Sequence, residues 1–539
     1  MRLSRLKSHI HVFSLVSVLA SVLLIVPFIA TFTEAFGGDL SAWNHIREHL
    51  LYDTIINTII LVGFVALFSS AIGFYSAYVV ERYSFKGRTF FKWGLMLPLA
   101  LPSYIAAYVY ADMLSYTGTV TRFLNGFGVN HGLNVMTLPG AIFIFTFTLF
   151  PYAYMLTRAS IARQDASVLE SATLLNAGPL RTLFKITLPL ARPALVAGTF
   201  LVVLETLNDY GVVSYFNVRV FSFAIFDAWF RLGDTLAAIR LSYYLLGLVF
   251  ILIMIERLLR GRRAYTSTSY RPIRRTTLSS HAKRWVPLSL SLIMALGFFI
   301  PVLQLLYYAW LTIAGGLSVE ILYISLNAIS IALVTTVITV AIALMIVNFN
   351  RGKASLFKRA ILRLTTLGYA IPGAVIAIAV MLFFIDIDRF SAPYREGPTL
   401  FLTASLLMLG FAYVLRFMAI AFGSLESAYA KTGEKYTEVS YTLGRSRLYT
   451  LLFVDVPLIK GGLISAAIIV FIDIFKELPL TLILRPTNYD TLATMAHRYA
   501  REEMIQEASM PSLIMIAIAS VLVYLLTHRV KKGRVENAR

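Results

Sequence analysis

Residues 438–457 read EVSYTLGRSRLYTLLFVDVP, and residues 170–189 read ESATLLNAGPLRTLFKITLP. Each begins with a glutamate and ends with a proline 19 residues later, and the offset between them is 438 − 170 = 268. A polar segment repeated at almost half the length of a 539-residue chain points to an internal duplication. The sequence around both copies is strongly apolar: 58% of all residues are hydrophobic and 14% are charged, against about 25% charged in a soluble domain. Mean hydropathy is +0.75. No soluble protein of this size buries so much apolar surface, so the solvent for much of the chain is lipid.

Apolar runs long enough to cross a bilayer fall near 12–33, 55–80, 93–113, 138–158, 193–216, 241–259, 286–311, 325–348, 362–385, 401–423, 460–483 and 511–528. The N-terminal MRLSRLKSHIH followed by VFSLVSVLASVLLIVPFIA resembles a signal peptide. Its apolar run of about 20 residues is long for a cleaved one and is read as a retained first helix. The expectation is an all-α integral membrane protein of twelve transmembrane helices, six on each side of a basic linker at 260–285 that holds eight Arg and Lys.

The net charge of +20 suggests nucleic acid in a soluble protein. Here the basic residues fall in short loops between spans. These are the N-terminal arm, 81–92, 159–192, the linker, 350–359, 424–459 and the tail at 528–534. That is the positive-inside pattern, and it puts both termini and both polar repeats in the cytoplasm with no nucleic-acid partner. The absence of cysteine excludes disulfides and thiolate metal sites.

The halves repeat beyond the polar segment. Asn57 opens NTIILVGFVALFSSAIGF and Asn327 opens NAISIALVTTVITVAIAL; Pro102 in LALPSYIAAYVY parallels Pro372 in YAIPGAVIAIAV, both at an offset of 270. An even number of helices per half inserts both halves the same way up, as a parallel repeat with its pseudo-twofold along the membrane normal and a substrate path at the interface. The expected division is 1–50 (first helix and outer loop), 51–259 (first transport domain), 260–285 (linker), 286–320 (seventh helix and short loop), 321–528 (second transport domain) and 529–539 (basic tail).

Each polar copy reads as a helix–turn–helix against the membrane. Gly444 tolerates positive φ, Asn176 tolerates it best after glycine, and Pro179 suits the first turn of a new helix. Pro189 and Pro457 then start the next membrane helix. Here the chain resembles a known family. The pattern is similar to the "EAA" loop of ABC importer permeases of the type I, binding-protein-dependent class, which places a Gly six and a Pro nineteen residues after a Glu. Glu438, Gly444 and Pro457 match all three, with Val439 and Ser440 in place of the alanines. Glu170, Ala172 and Pro189 match in the first copy, where Gly178 follows later and Asn176 stands in the glycine position. The resemblance implies that both loops dock on two copies of a cytoplasmic ATP-binding subunit and that a periplasmic binding protein delivers the substrate. Asn176 is then expected to weaken or bias the first docking site. The chain carries no G-x-x-x-x-G-K-[ST] phosphate loop. No cofactor is expected on it, and ATP is used by the partner.

Beyond each loop lie LVVLETLNDYGVV (201–213) and IVFIDIFKELPLTLILRP (469–486). Glu205 and Asp209 are four apart, which places them on one helical face, and Asp473 and Glu477 repeat them at 473 − 205 = 268 and 477 − 209 = 268. Charges inside a membrane span usually face a cavity and mark a path. The structural alternative is that Lys476 neutralises Asp473 or Glu477. Four hard oxygen ligands suit a hard cation, though no metal site is firmly assigned.

ETLNDYG (205–211) with DIFKELPLTLILRP (473–486) resembles the fused permeases of ferric-iron importers, with thiamine permeases as fused relatives and polyamine or phosphonate permeases further away. This implies import of ferric iron across a bacterial inner membrane, with thiamine or another small organic cation as the alternative. An ion-coupled secondary transporter is a further rival that needs no paired docking loop. An enzyme embedded in lipid finds no H-E-x-x-H, clustered His or G-x-S-x-G to support it. The segment 488–509 is expected on the outer side, near the binding protein, with His497 in it as a solvated loop residue. The 29 tyrosines suit interfacial belts.

Overall fold

In a computed structural model of the chain, the structure describes residues 17–23, 25–29, 31–32, 35, 37, 41–129, 133–260, 275–312, 318–350, 368, 371–394, 400–403 and 405–536. The basic segments at 1–11, 261–274 and 351–359, and the start of the expected span at 362–385, lie outside them.

The long apolar runs form helices even where a proline lies inside them, as Pro151 does in Leu138–Ile161, and their ends are signalled by charge or by a break. α1 (Leu51–Arg82) has Asp53 in its first turn and Arg82 in its last, complementing the helix dipole. After the short α2 (Arg88–Gly94), Pro102 caps α3 (Ser103–Met113) with φ −57° and ψ 137°. Pro372 caps α12 (Gly373–Ser391) in the same way, at φ −58° and ψ 144°. Each proline ends the preceding segment in extended backbone and starts a new helix. The path from Arg88–Ala100 into α3 turns by 87° at this point. The first half continues with α4 (Leu138–Ile161), α5 (Ala166–Leu174), α6 (Leu188–Asn208), α7 (Gly211–Tyr215) and α8 (Thr235–Arg260). The second half comprises α9 (Ala282–Met294), α10 (Ile300–Thr312), α11 (Val319–Asn350), α12, α13 (Leu406–Thr432), α14 (Lys435–Thr442), α15 (Lys460–Phe475), α16 (Pro479–Leu484), α17 (Leu492–Arg501) and α18 (Ser509–Glu536). Two short strands, β1 (Tyr83–Ser84) and β2 (Thr276–Thr277), pair in parallel and fasten the end of the linker to the first half.

Each half is built on a three-helix core: α1, α4 and α6 in the first, α11, α13 and α15 in the second. Small residues permit the close approach, the usual solution where lipid supplies no hydrophobic force between helices. A Cβ on Gly73 would sit 2.8 Å from Ala153 Cβ, and one on Gly198 would sit 2.7 Å from Ala153 Cα. The matching positions of the second half, Ala343, Ala421 and Ala466, are all fully buried. The halves also grip one another. α3 packs on α10 and α17, and α12 packs on α8.

Eight described helices, or ten with each bent pair counted as one, are long and apolar enough to cross a membrane. Two expected spans are shorter than the hydropathy suggested. The run 193–216 stops as a helix at Asn208, and 460–483 stops at Phe475 and restarts at Pro479. Hydropathy alone does not see these breaks, because the residues after them remain apolar.

Candidate functional site

The two breaks face one cavity of about 60 Å3, lined by Glu205, Asp209, Asp473, Glu477, Arg416 and Lys476 among others. All four expected path carboxylates therefore meet at one place between the halves. They do not share helical faces as the spacing predicts. α6 ends before Asp209, whose Oδ1 accepts from Val212 N at 2.8 Å and caps α7. α15 ends before Glu477, whose Oε1 accepts from Leu480 N at 2.9 Å and caps α16. Each half thus uses an acid three residues ahead to satisfy the start of a short helix, an N-cap role that a carboxylate performs well. Among the described residues, no three His, Asp or Glu side chains come together to hold a metal ion.

Charge around the cavity is not symmetric. In the second half Lys476 Nζ lies 3.0 Å from Asp473 Oδ1, and Arg416 Nη1 lies 3.5 Å from Glu477 Oε1. Both cations belong to the second half. Their counterparts at an offset of 268 in the first half are Asn208 and Thr148. Asn208 Oδ1 accepts from Arg416 Nη1 at 2.6 Å and from Gly373 N at 2.6 Å, which stitches α6 to α13 and to the start of α12. Gly373 suits this contact, because a Cβ would press on the Arg416 guanidinium and lie 2.9 Å from Asn208 Oδ1, so that those side chains would have to shift. Ser103, which matches Gly373, instead shares a 3.0 Å hydrogen bond with Thr148. Arg416 and Asn208 are absent from the expected site. A lone arginine in LLMLGFAYVLRFMAIAF is a signal in itself, since a charge at mid-span needs a partner in the bundle.

The coupling segments repeat in detail. Asn176 has φ 50° and Gly444 has φ 75°. The turn after each helix closes with the same five-residue bond, Ala177 N to Ala172 O at 3.0 Å and Arg445 N to Ser440 O at 3.2 Å. That is the Schellman arrangement, in which one left-handed residue satisfies the last carbonyls of a helix. Asn176 thus adopts the backbone geometry of the glycine it replaces. Each copy then passes through one π-helical turn, Leu183–Thr187 and Leu451–Asp455.

Glu170, Asn176, Gly178, Pro189, Glu438, Gly444 and Pro457 are exposed, while Ala172 is buried. Leu174, Leu175, Leu180, Val439, Leu443 and Leu448 are also exposed. Apolar side chains clustered on a loop rich in charge mark a surface that meets a protein or a membrane.

The copies part after the π turn. Pro189 lies inside a helix continuous from Pro179 to Asn208, whereas Pro457 sits in a three-residue turn and the chain bends by 81° before α15. Lys460-Gly461-Gly462 stands where the first half has Arg192-Pro193-Ala194. A buried acid braces the bent copy. Asp455 accepts from Thr437 Oγ1 at 2.6 Å and from Asn348 Nδ2 at 3.3 Å, joining α14 to α11. Thr187 occupies the matching position, and its carbonyl accepts from Gln164 Nε2 at 3.3 Å.

His497 is not a solvated loop residue. It lies on α17, is 3% exposed, and its Nδ1 shares a 2.6 Å hydrogen bond with the Tyr108 hydroxyl. Burial, with Arg501 and Arg485 nearby, lowers its imidazole from 6.5 to about 3. The reason is structural: Thr491 and Thr494 form a reciprocal cap that starts α17, and Asp490 accepts from Thr494 Oγ1 at 2.9 Å and pairs with Arg485 and Arg498. A Thr-x-x-Thr cap is a weaker sequence signal than Ser/Thr-x-x-Glu.

The family described as "Binding-protein-dependent transport system inner membrane component" matches residues 69–263 and 342–533, once in each half. The chain is similar to the Fe(3+)-transport system permease protein FbpB 2 of Haemophilus influenzae, 26% identical over 85% of this chain and 86% of the relative. It is similar also to the putative ferric transport system permease protein FbpB 1 of the same organism, 25% identical over 75% of this chain and 65% of the relative. The molybdenum transport system permease protein ModB of Escherichia coli is 28% identical over 28% of this chain and 64% of the relative.

Proposed function

The chain belongs to the binding-protein-dependent transport system inner membrane components, and from that premise we propose that it is the permease that carries ferric iron through an ATP-driven importer. The multi-pass membrane character and the role of transport subunit follow from the family. The cargo rests on the cavity. Four carboxylates, Glu205, Asp209, Asp473 and Glu477, line it against two cations, Arg416 and Lys476. The net charge favours a cation, and oxygen donors favour a hard one. The relatives named for ferric transport, aligned over most of the chain, agree with this reading.

In this reading the chain crosses the membrane twelve times with both termini cytoplasmic. Units at 51–259 and 321–528 form the two transport domains. The loops around Glu170 and Glu438 engage two copies of an ATP-binding subunit, and a periplasmic binding protein presents the cargo. ATP acts in the partner, and this chain binds no cofactor. Iron is cargo that the acids attract and pass on.

Two observations favour other cargo. Tyr104, Tyr152 and Phe417 also line the cavity and suit an organic cation such as thiamine. Arg416 and Lys476, with a molybdenum permease among the relatives, suit an oxyanion. Reconstitution in proteoliposomes with the ATPase separates the three. Ferric iron accumulation that falls at least about tenfold in Glu205→Gln/Asp209→Asn supports the proposal, since one buried charge contact is worth that much. Accumulation of thiamine or molybdate instead, with iron unmoved, overturns it.

A further inference from the structure

Glu81, in the last turn of α1, lies beneath four cations. Its Oε1 faces Lys92 Nζ at 3.9 Å and Arg158 Nη1 at 3.5 Å, and its Oε2 faces Arg88 Nη2 at 3.1 Å and Arg275 Nη2 at 3.5 Å. The carboxylate is 5% exposed. The cations arrive from α2, from the end of α4 that leads into the first coupling loop, and from the linker beside β2.

One carboxylate does not neutralise four cations. Three positive charges remain in excess within the reach of a single side chain, and their mutual repulsion in a half-buried site is strong. Donors also outnumber acceptors, because each guanidinium offers five N–H groups. Arg88 spends its Nε on Val80 O at 2.5 Å, but Arg158 Nε is buried and has no hydrogen-bond acceptor among the described residues. A buried donor without an acceptor is costly. Both facts describe a site short of an anion.

The surroundings indicate which kind. On α2, Phe90 is 43% exposed and meets Trp93 edge-on at 5.7 Å. Trp93 in turn meets Tyr524 of α18 at 6.1 Å. Aromatic side chains at the end of membrane helices mark the depth of lipid headgroups, where basic clusters between helices hold anionic lipids.

We propose that the Glu81 cluster binds a phosphate group, carried by a phospholipid headgroup or present as the free ion, with Lys92, Arg158 and Arg275 as donors. The phosphate accepts the orphaned Arg158 Nε–H and offsets the excess charge. It also fastens the linker to α1, because Arg275 adjoins the β1–β2 pair.

The test uses the full chain purified in detergent. Native mass spectrometry reads retained phospholipid, and thermal melting is followed with added phosphatidylglycerol, phosphatidylcholine, inorganic phosphate or chloride at matched ionic strength. The expected result is a rise in Tm with a phosphate-bearing ligand but not with chloride. In Lys92→Gln/Arg275→Gln the midpoint of that rise moves to at least about tenfold higher ligand. Glu81→Gln removes the competing carboxylate and tightens the same binding. A shift with phospholipid alone assigns the source to the bilayer, and one with inorganic phosphate to solution. If no phosphate-bearing ligand shifts Tm beyond chloride, or the double variant shifts as the parent does, the proposal is overturned. The same holds if Glu81→Gln folds yet binds no tighter.

Discussion

The first and second halves share a skeleton and differ in chemistry. The left-handed residue after the coupling helix, the π turn, the proline cap before the mid-membrane helix and the acid that caps the next short helix all recur at offsets of 268 or 270. These set the course of the backbone. The side chains that decide charge do not recur: Asn208, Thr148 and Ser103 stand at the positions that Lys476, Arg416 and Gly373 occupy in the second half. The duplication thus keeps the machine's geometry and lets one half alone supply the cations of the cavity. Its mechanical side is uneven too, with a continuous helix of 30 residues in the first copy and an 81° bend in the second.

The comparison breaks most sharply at Arg416. Arg416→Met leaves Glu477 buried without its cation and removes the link to Asn208, at a cost of about 3–5 kcal/mol. Thr148→Val at the matching position costs about 1 kcal/mol. Denaturation of the purified chain in detergent checks both, and equal losses would refute the asymmetry. Next is the Asp455 brace. Asp455→Ala orphans Thr437 and Asn348 and is expected to cost about 2–3 kcal/mol, while Thr187→Ala, whose carbonyl is retained, costs under about 1 kcal/mol. ATP hydrolysis stimulated by the loaded binding protein should fall only in the former.

The left-handed positions sharpen the likeness of the copies. Gly444→Val puts a β-branched residue at φ 75° and costs about 1–2 kcal/mol, whereas Asn176→Gly stays within about 0.5 kcal/mol of the parent. Thermal melting reads both.

His497, whose position in the first half is occupied by Trp229 at an offset of 268, gives an effect that depends on pH. Its folded imidazole is depressed from 6.5 to about 3, so its contribution is full above the unfolded value and is lost as pH falls below it. Between pH 7.5 and 5.5 the parent should lose about 1.4 kcal/mol through this group, and His497→Gln should flatten that slope.

The family and the repeat are legible in the sequence because a Glu, a left-handed residue and a Pro at fixed spacing answer to local backbone rules. Pro102 and Pro372 are legible for the same reason. The breaks after Asn208 and Phe475 are not, because they depend on where Asp209 and Glu477 turn to cap the next helix. Arg416 carries a signal in its own charge, but its partner Asn208 lies 208 residues away in sequence, and only packing brings them together. The protonation of His497 is likewise set first by its burial on α17, with Arg501 and Arg485 nearby, and no local pattern encodes that burial.

The most direct test of the whole account is accumulation of radioactive ferric iron in cells with the chain deleted, restored, or restored as Glu438→Arg, with thiamine followed in parallel. The account predicts that deletion and Glu438→Arg both abolish iron uptake and leave thiamine uptake intact. Iron uptake that survives deletion in a strain with no second importer contradicts the cargo, and uptake that survives Glu438→Arg contradicts the coupling.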